Sequence, residues 1–169
     1  MKIHDRHMYH GAALIQIAEH PKFTAINSFK YKKTVYKNAY TINNDSTLYL
    51  KYASKPKRPH NEYGFNFTNE NLEELKKINK KAQKLYLGLV LVDDREICCL
   101  KYKELKRLIR SRKNILKKDE EQYTVLITAE AKKQLRAYIN KPNVKNERTS
   151  VLLVIKRNDF PKALFDKNN

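Results

Sequence analysis

The sequence predicts a single α/β domain with a mixed central sheet. Three observations carry that reading. Short runs such as "STLYLKYA" (46–53) alternate apolar and polar residues, and "LYLGLVLVDD" (85–94) is a continuous apolar run of strand length. "NENLEELKKINKKAQK" (69–84) and "KELKRLIRSRKNI" (103–115) instead carry apolar residues at helical spacing. Helices and strands alternate along 169 residues, of which 41% are hydrophobic, enough for one domain with its own core and short for two.

Taken in order, "HGAALIQIAEHP" (10–21) reads as a helix with Leu14, Ile17 and Ala18 inward, stopped by Pro21. Strand-like runs follow around Phe23–Phe29 and Val35–Ile42, then the turn cluster "NND" and the strand 46–53. Residues 35–53 should form an antiparallel hairpin turning at Asn43–Ser46. Leu48 and Leu50 then share one face, and Tyr49 and Lys51 the other. "SKPKRPHNE" (54–62) is a polar loop, and "YGFNFT" (63–68) a short strand. Thr68 is placed to cap the next helix, whose acids Glu70, Glu73 and Glu74 precede its lysines, as the helix dipole favours.

"REICCLKY" (95–102) should pair with 85–94 across an Asp93–Asp94 turn. The helix 103–115 turns Leu105, Leu108 and Ile109 inward. The remainder reads as strand "YTVLIT" (123–128), helix "AEAKKQLRAYIN" (129–140), loop 141–149 and strand "SVLLVIK" (150–156). It closes with a turn whose Phe160, Leu164 and Phe165 dock on the core. These elements give a sheet of about six or seven strands.

Charge narrows the function. Lys and Arg number 36 against 18 Asp and Glu, a formal net charge of +18. Such an excess repels itself in a compact chain and points to a polyanionic partner. Nucleic acid leads, DNA ahead of RNA; an anionic membrane surface comes second on charge alone, and a basic adaptor docking an acidic protein is a third class. A membrane partner is not expected, because no window approaches the ~20 apolar residues of a span. "MKIHDRHMYHGAAL" places charges where a signal peptide needs its apolar run, and the adjacent Cys98 and Cys99 read as reduced thiols on opposite faces of a strand. A cytoplasmic location is therefore expected.

Three clusters are candidate binding elements. Between Lys101 and Lys118 there are nine basic residues and one acid, Glu104. Lys103, Lys106, Arg107 and Arg110 share the helix face opposite the Leu105–Leu108–Ile109 stripe, suited to phosphates. The loop after the hairpin adds Lys55, Lys57 and Arg58 to Lys51. Tyrosines interleave with lysines in "FKYKKTVYKNAY" (29–40), a pattern that can stack unpaired bases. His4, His7 and His10 could not grip one ion from a single helix, so no metal site is expected there, and the N-terminus should fray. No Gly-rich phosphate loop, nucleophile arrangement or CxxC pair occurs.

The order helix, three strands, helix, strand over roughly residues 8–110, with Lys51 on the third strand, resembles the PD-(D/E)XK nuclease superfamily. The resemblance implies an acid near the second strand and an acid-x-lysine triplet on the third, together holding Mg²⁺. Lys51 falls where the family's lysine stands, but Tyr49 occupies the acid's place, and a phenol with a pKa near 10 does not replace a carboxylate on Mg²⁺. The resemblance therefore implies a nucleic-acid-binding protein on a nuclease-like fold, without catalysis or cofactor, of the kind found in mobile elements, phages and defence systems. The enzyme alternative is a Mg²⁺-dependent nuclease using Asp45, Lys51 and Glu19 or Glu62.

Overall fold

The computed structural model describes residues 1–166. In chain order the elements are α1 (Asp5–Ala18), β1 (Ile26–Tyr31), β2 (Thr34–Ile42), β3 (Ser46–Ala53), β4 (Glu62–Thr68), α2 (Asn69–Asn79), β5 (Lys84–Leu91), β6 (Glu96–Lys101), α3 (Tyr102–Leu116), β7 (Gln122–Thr128), β8 (Leu135–Asn140) and β9 (Arg148–Ile155). A short 3-10 turn, Lys162–Phe165, follows. Five strands form a mixed sheet in the order β1-β2-β3-β5-β6, and β4-β7-β8-β9 form a second, antiparallel one. The α/β class holds. Among the described residues no helix is long and apolar enough to cross a membrane.

The first sheet is built around β3 and β5, its one parallel pair, with Leu48 opposite Tyr86, Leu50 opposite Gly88 and Lys51 opposite Leu89. Parallel strands are buried on both faces, and both faces of β3 are covered. Leu48 and Leu50 join Ala13 and Ile17 of α1 and Phe160, Leu164 and Phe165 in one core. Tyr49, fully buried, belongs to the larger core on the other face, with α2, α3 and the second sheet. Cys98 and Cys99 divide between these two cores as the strand period requires.

The β2–β3 hairpin turns at the predicted place, with Asn43 and Asn44 both at positive φ, where asparagine is tolerated. Asn43 also fixes the preceding segment. Its Oδ1 accepts from Thr24 N at 2.8 Å and Thr24 Oγ1 at 2.9 Å, and its Nδ2 donates to Lys22 O at 2.6 Å. Thr68 caps α2 as predicted, its Oγ1 accepting from Asn71 N at 3.3 Å.

Three expectations are corrected. The second sheet is separate because β4 does not continue the first. It pairs with β7, setting Tyr63, Phe65 and Phe67 against Ile127, Val125 and Tyr123 in one buried layer, so nine strands in two sheets replace the single sheet. Residues 129–134 are a turn and 135–140 a strand, not a helix. Leu135, Ala137 and Ile139 are buried there and Arg136 is exposed, a period of two that outweighs the helix propensity of Ala, Lys and Gln. The first helix begins earlier than expected: α1 starts at Asp5, His7 Nδ1 accepts from His4 N at 3.1 Å, and His10 is buried with Ala13 and Ile17 while Ala18 is exposed.

Two stability tests follow from this packing. A Cβ on Gly88 would lie 2.7 Å from Leu50 Cδ2 and 3.2 Å from Leu48 Cδ1, so Gly88→Ala should cost about 1–3 kcal/mol, read as a lowered melting temperature. Burial, with Arg6 and His7 nearby, pushes the His10 imidazole down from 6.5 to about 4. The unfolded chain therefore binds more protons between those pH values, and stability falls as pH drops through that window. This group should account for about 2 kcal/mol of the loss, after allowing for residual solvent contact of the ring. His10→Gln should flatten the difference in melting temperature between pH 7 and pH 4.

Candidate nucleic-acid interface

α2 runs back along β3, so the β3 face carrying Tyr49 and Lys51 meets one side of that helix. Lys51 is half-buried. Its Nζ donates to Asn71 Oδ1 at 3.0 Å and lies 5.2 Å from the Phe67 ring centroid. The same Asn71 Oδ1 accepts from Thr68 N at 3.3 Å, so one amide serves both the helix cap and the lysine. Burial lowers the Lys51 pKa, and the Glu74 carboxylate opposes that shift. Tyr49 donates to Glu74 Oε2 at 3.0 Å, and burial together with that carboxylate raises its phenol well above the ordinary range. Lys51 is thus turned inward onto α2, unlike the outward cations around it. The sequence reading missed Asn71 and took Glu74 only as an acid suited to the helix dipole, although their spacing of three marks one side of α2.

The residues of the nuclease alternative lie apart. Asp45 sits in the exposed β2–β3 turn, six residues before Lys51 on an extended strand, a separation of roughly 20 Å. Glu19 ends α1, which packs on the opposite face of the first sheet. Glu62 begins β4 and accepts a hydrogen bond from the Tyr138 hydroxyl. Among the described residues no group of three or more His, Cys, Asp or Glu side chains is placed to hold a metal ion.

Lys55, Lys57 and Arg58 are exposed in the β3–β4 loop. The Lys57 backbone bridges to Glu62 in both directions, at 2.8 and 3.2 Å, and Asp93 N donates to Ser54 O at 3.2 Å. The loop therefore borders the exposed acids Asp93 and Asp94, which offset part of its charge.

The cations of α3 are different. Leu105, Leu108 and Ile109 are buried as predicted, and Lys103, Lys106, Arg107 and Arg110 are all exposed. None of these four pairs with an acid among the described residues; Lys106 Nζ lies 5.0 Å from the Tyr102 ring centroid. Farther along the helix Arg112 is fully engaged, with Nε and Nη2 on Glu120 at 2.5 and 2.7 Å and Nη1 on Asn140 O at 2.8 Å. That pairing raises the arginine and lowers the Glu120 carboxyl. Lys113 is paired with Asp119 at 2.6 Å. Structural cations and unpaired ones are thereby distinguished on one helix.

Lys106 and Arg110 also line a groove of about 470 Å³ between α3 and α2, with Lys76 and Tyr102 and with the acids Glu73, Asp119 and Glu120, the last two paired with Lys113 and Arg112. The groove uses the side of α2 opposite to the Asn71–Glu74 side, so α2 separates Lys51 from the α3 cations. Lys103 and Arg107, four residues apart, stand about 6 Å from each other along the axis as a second row.

Tyr49→Phe tests the inner cluster. It leaves the half-buried Glu74 carboxylate without its tyrosine donor and should cost about 1–2 kcal/mol of stability, read by denaturant unfolding.

Compared with protein-family models, with curated proteins and with solved structures, the chain matches none.

Proposed function

We propose that the protein binds nucleic acid, DNA ahead of RNA, through the exposed face of α3, on a nuclease-like framework without catalysis. The observation that carries this reading is that Lys103, Lys106, Arg107 and Arg110 have no acidic partner among the described residues, in a chain of net charge +18. Four cations on one helix face raise the electrostatic cost of folding and are offset when phosphates replace their counterions. The framework is supported by the order α1, the β1–β2–β3 meander, then α2 leading into β5 beside β3, with β4 inserted before α2 and paired in the second sheet. The wide separation of Asp45, Glu19 and Glu62 from Lys51 favours binding over cleavage.

The test is a titration at several salt concentrations of the wild type and of a variant carrying Lys106→Gln, Arg107→Gln and Arg110→Gln. Glutamine keeps the helix propensity, so melting should hardly change. Affinity should fall across all sequences alike. The log–log salt slope should shallow by roughly 0.9 per lost contact on a duplex and roughly 0.7 on a single strand. An unchanged slope with an intact fold would reject α3 as the interface. Cleavage that requires Mg²⁺ or Mn²⁺ and is lost with Asp45→Ala or Lys51→Met would establish the nuclease alternative instead.

A further inference from the structure

We propose that a cavity beside the β1–β2 turn receives an unpaired nucleobase, so that the preferred partner is single-stranded nucleic acid; this rests on the binding reading above and names the form of the ligand. The cavity measures about 570 Å³, within the range of small-ligand sites, and Tyr31, Lys32, Thr41, Asp45, Thr47 and Lys81 are among its lining. It lies away from the α2–α3 groove and uses none of the α3 cations.

Each part of a base-and-phosphate ligand finds its counterpart. Tyr31 is half-exposed and offers a ring face. Lys32 Nζ from the turn and Lys81 Nζ from the segment after α2 both lie 5.7 Å from its centroid, poised for the phosphates flanking a stacked base. The wall beneath is firm: Phe29 and Tyr36 are buried and meet edge to face with centroids 5.8 Å apart. Two polar side chains at the cavity make no hydrogen bond or ion pair among the described residues. Thr47 is 3% exposed, and its hydroxyl, which is not a fully buried atom, makes no hydrogen bond among the described residues. Asp45 makes no ion pair among them, although Lys30, Lys32 and Lys81 line the same cavity.

An acid facing a phosphate track repels it, so Asp45 does not suit a plain backbone site. A carboxylate accepts from the exocyclic amine of cytosine, whose outer hydrogen has only a C–H beside it, whereas the one ring-edge donor of thymine, N3–H, stands between two carbonyls that repel a carboxylate. Asp45 therefore sets a preference for amine-bearing bases, and Thr47 supplies a second contact to the base edge. A duplex keeps its bases stacked inside and cannot fill the cavity. A single strand can reach both places: Lys76 on α2 lines the α2–α3 groove, and Lys81, two residues past the end of α2, lines this cavity.

The experiment is fluorescence anisotropy in EDTA, which removes any metal-dependent role of Asp45, with short oligodeoxycytidine, oligodeoxythymidine and duplex probes. Wild type should prefer the cytidine strand. Tyr31→Leu should weaken single-strand binding roughly tenfold and leave duplex binding nearly unchanged, while Tyr31→Phe retains affinity. Asp45→Asn, an exposed position that spares the fold, should level the cytidine and thymidine strands. Equal loss on single strand and duplex with Tyr31→Leu, or an unaltered base preference with Asp45→Asn, overturns the inference and leaves the α3 reading standing. Loss on every probe with the α3 triple variant but not with Tyr31→Leu overturns it in the same way. A wild type that binds none of the probes at low salt overturns both.

Discussion

The pairing of β3 with β5 is the constraint on which the rest of the architecture depends. Two parallel neighbours cannot be joined by a tight turn, so the chain must leave the sheet and return over one face. It does so through β4 and α2. That excursion places α2 against Tyr49 and Lys51, and it puts β4 where β7 can pair with it and found the second sheet. The opposite face of β3 is left for α1 and the C-terminal turn. There Ser46 Oγ donates to Leu164 O at 2.9 Å, and His20 stacks on Phe165 with centroids 4.0 Å apart. The pair also limits side-chain size: Gly88 is opposite Leu50, and the Leu48 and Leu50 side chains occupy the space a Cβ would take.

Burying both faces of β3 settles what its polar side chains can do. A lysine amine in a half-buried place needs an acceptor, and Asn71 supplies one while already holding the helix cap. A buried phenol needs one too, and Glu74 supplies it. The polar residues of β3 are thus taken up in joining strand to helix. The side chains without such a duty lie elsewhere, on α3 and around Tyr31.

Those side chains are separable by their surroundings. Arg157 is paired with Glu96 and held by the carbonyls of Lys133 and Glu130, at 2.6 Å each, tying β9 to β6. Arg112 does the same for α3 and the second sheet. On α3 the unpaired Lys103 and Lys106 sit in the first turns, where the helix dipole disfavours positive charge. Neither has an acidic partner among the described residues, and Lys106 has only the Tyr102 ring, which sets them apart from Lys113 in the last turn with its Asp119 partner. The lysines around Tyr31 are likewise without acidic partners among the described residues.

Local pattern by itself determined much of the molecule. The alternation in 46–53, the asparagine turn, the Thr68 cap, the inward stripe of α3 and the opposite facing of Cys98 and Cys99 each follow from a few neighbouring residues, and each stands in the fold. The excess of positive charge and its concentration on α3 were legible for the same reason. What required tertiary structure was the choice of partner. Nothing local states that β4 pairs with a strand some 60 residues later, that 135–140 is drawn from helix propensity into a ladder with β7 and β9, or that Lys51 turns toward Asn71. Nor does the sequence show that Tyr31 and Lys81, 50 residues apart, close one cavity with Asp45. Periodicity fixes which side of an element is apolar, because that depends on the backbone repeat alone. What the side meets depends on long-range register, and burial against a particular neighbour then decides whether a polar group serves the fold or remains available to a ligand.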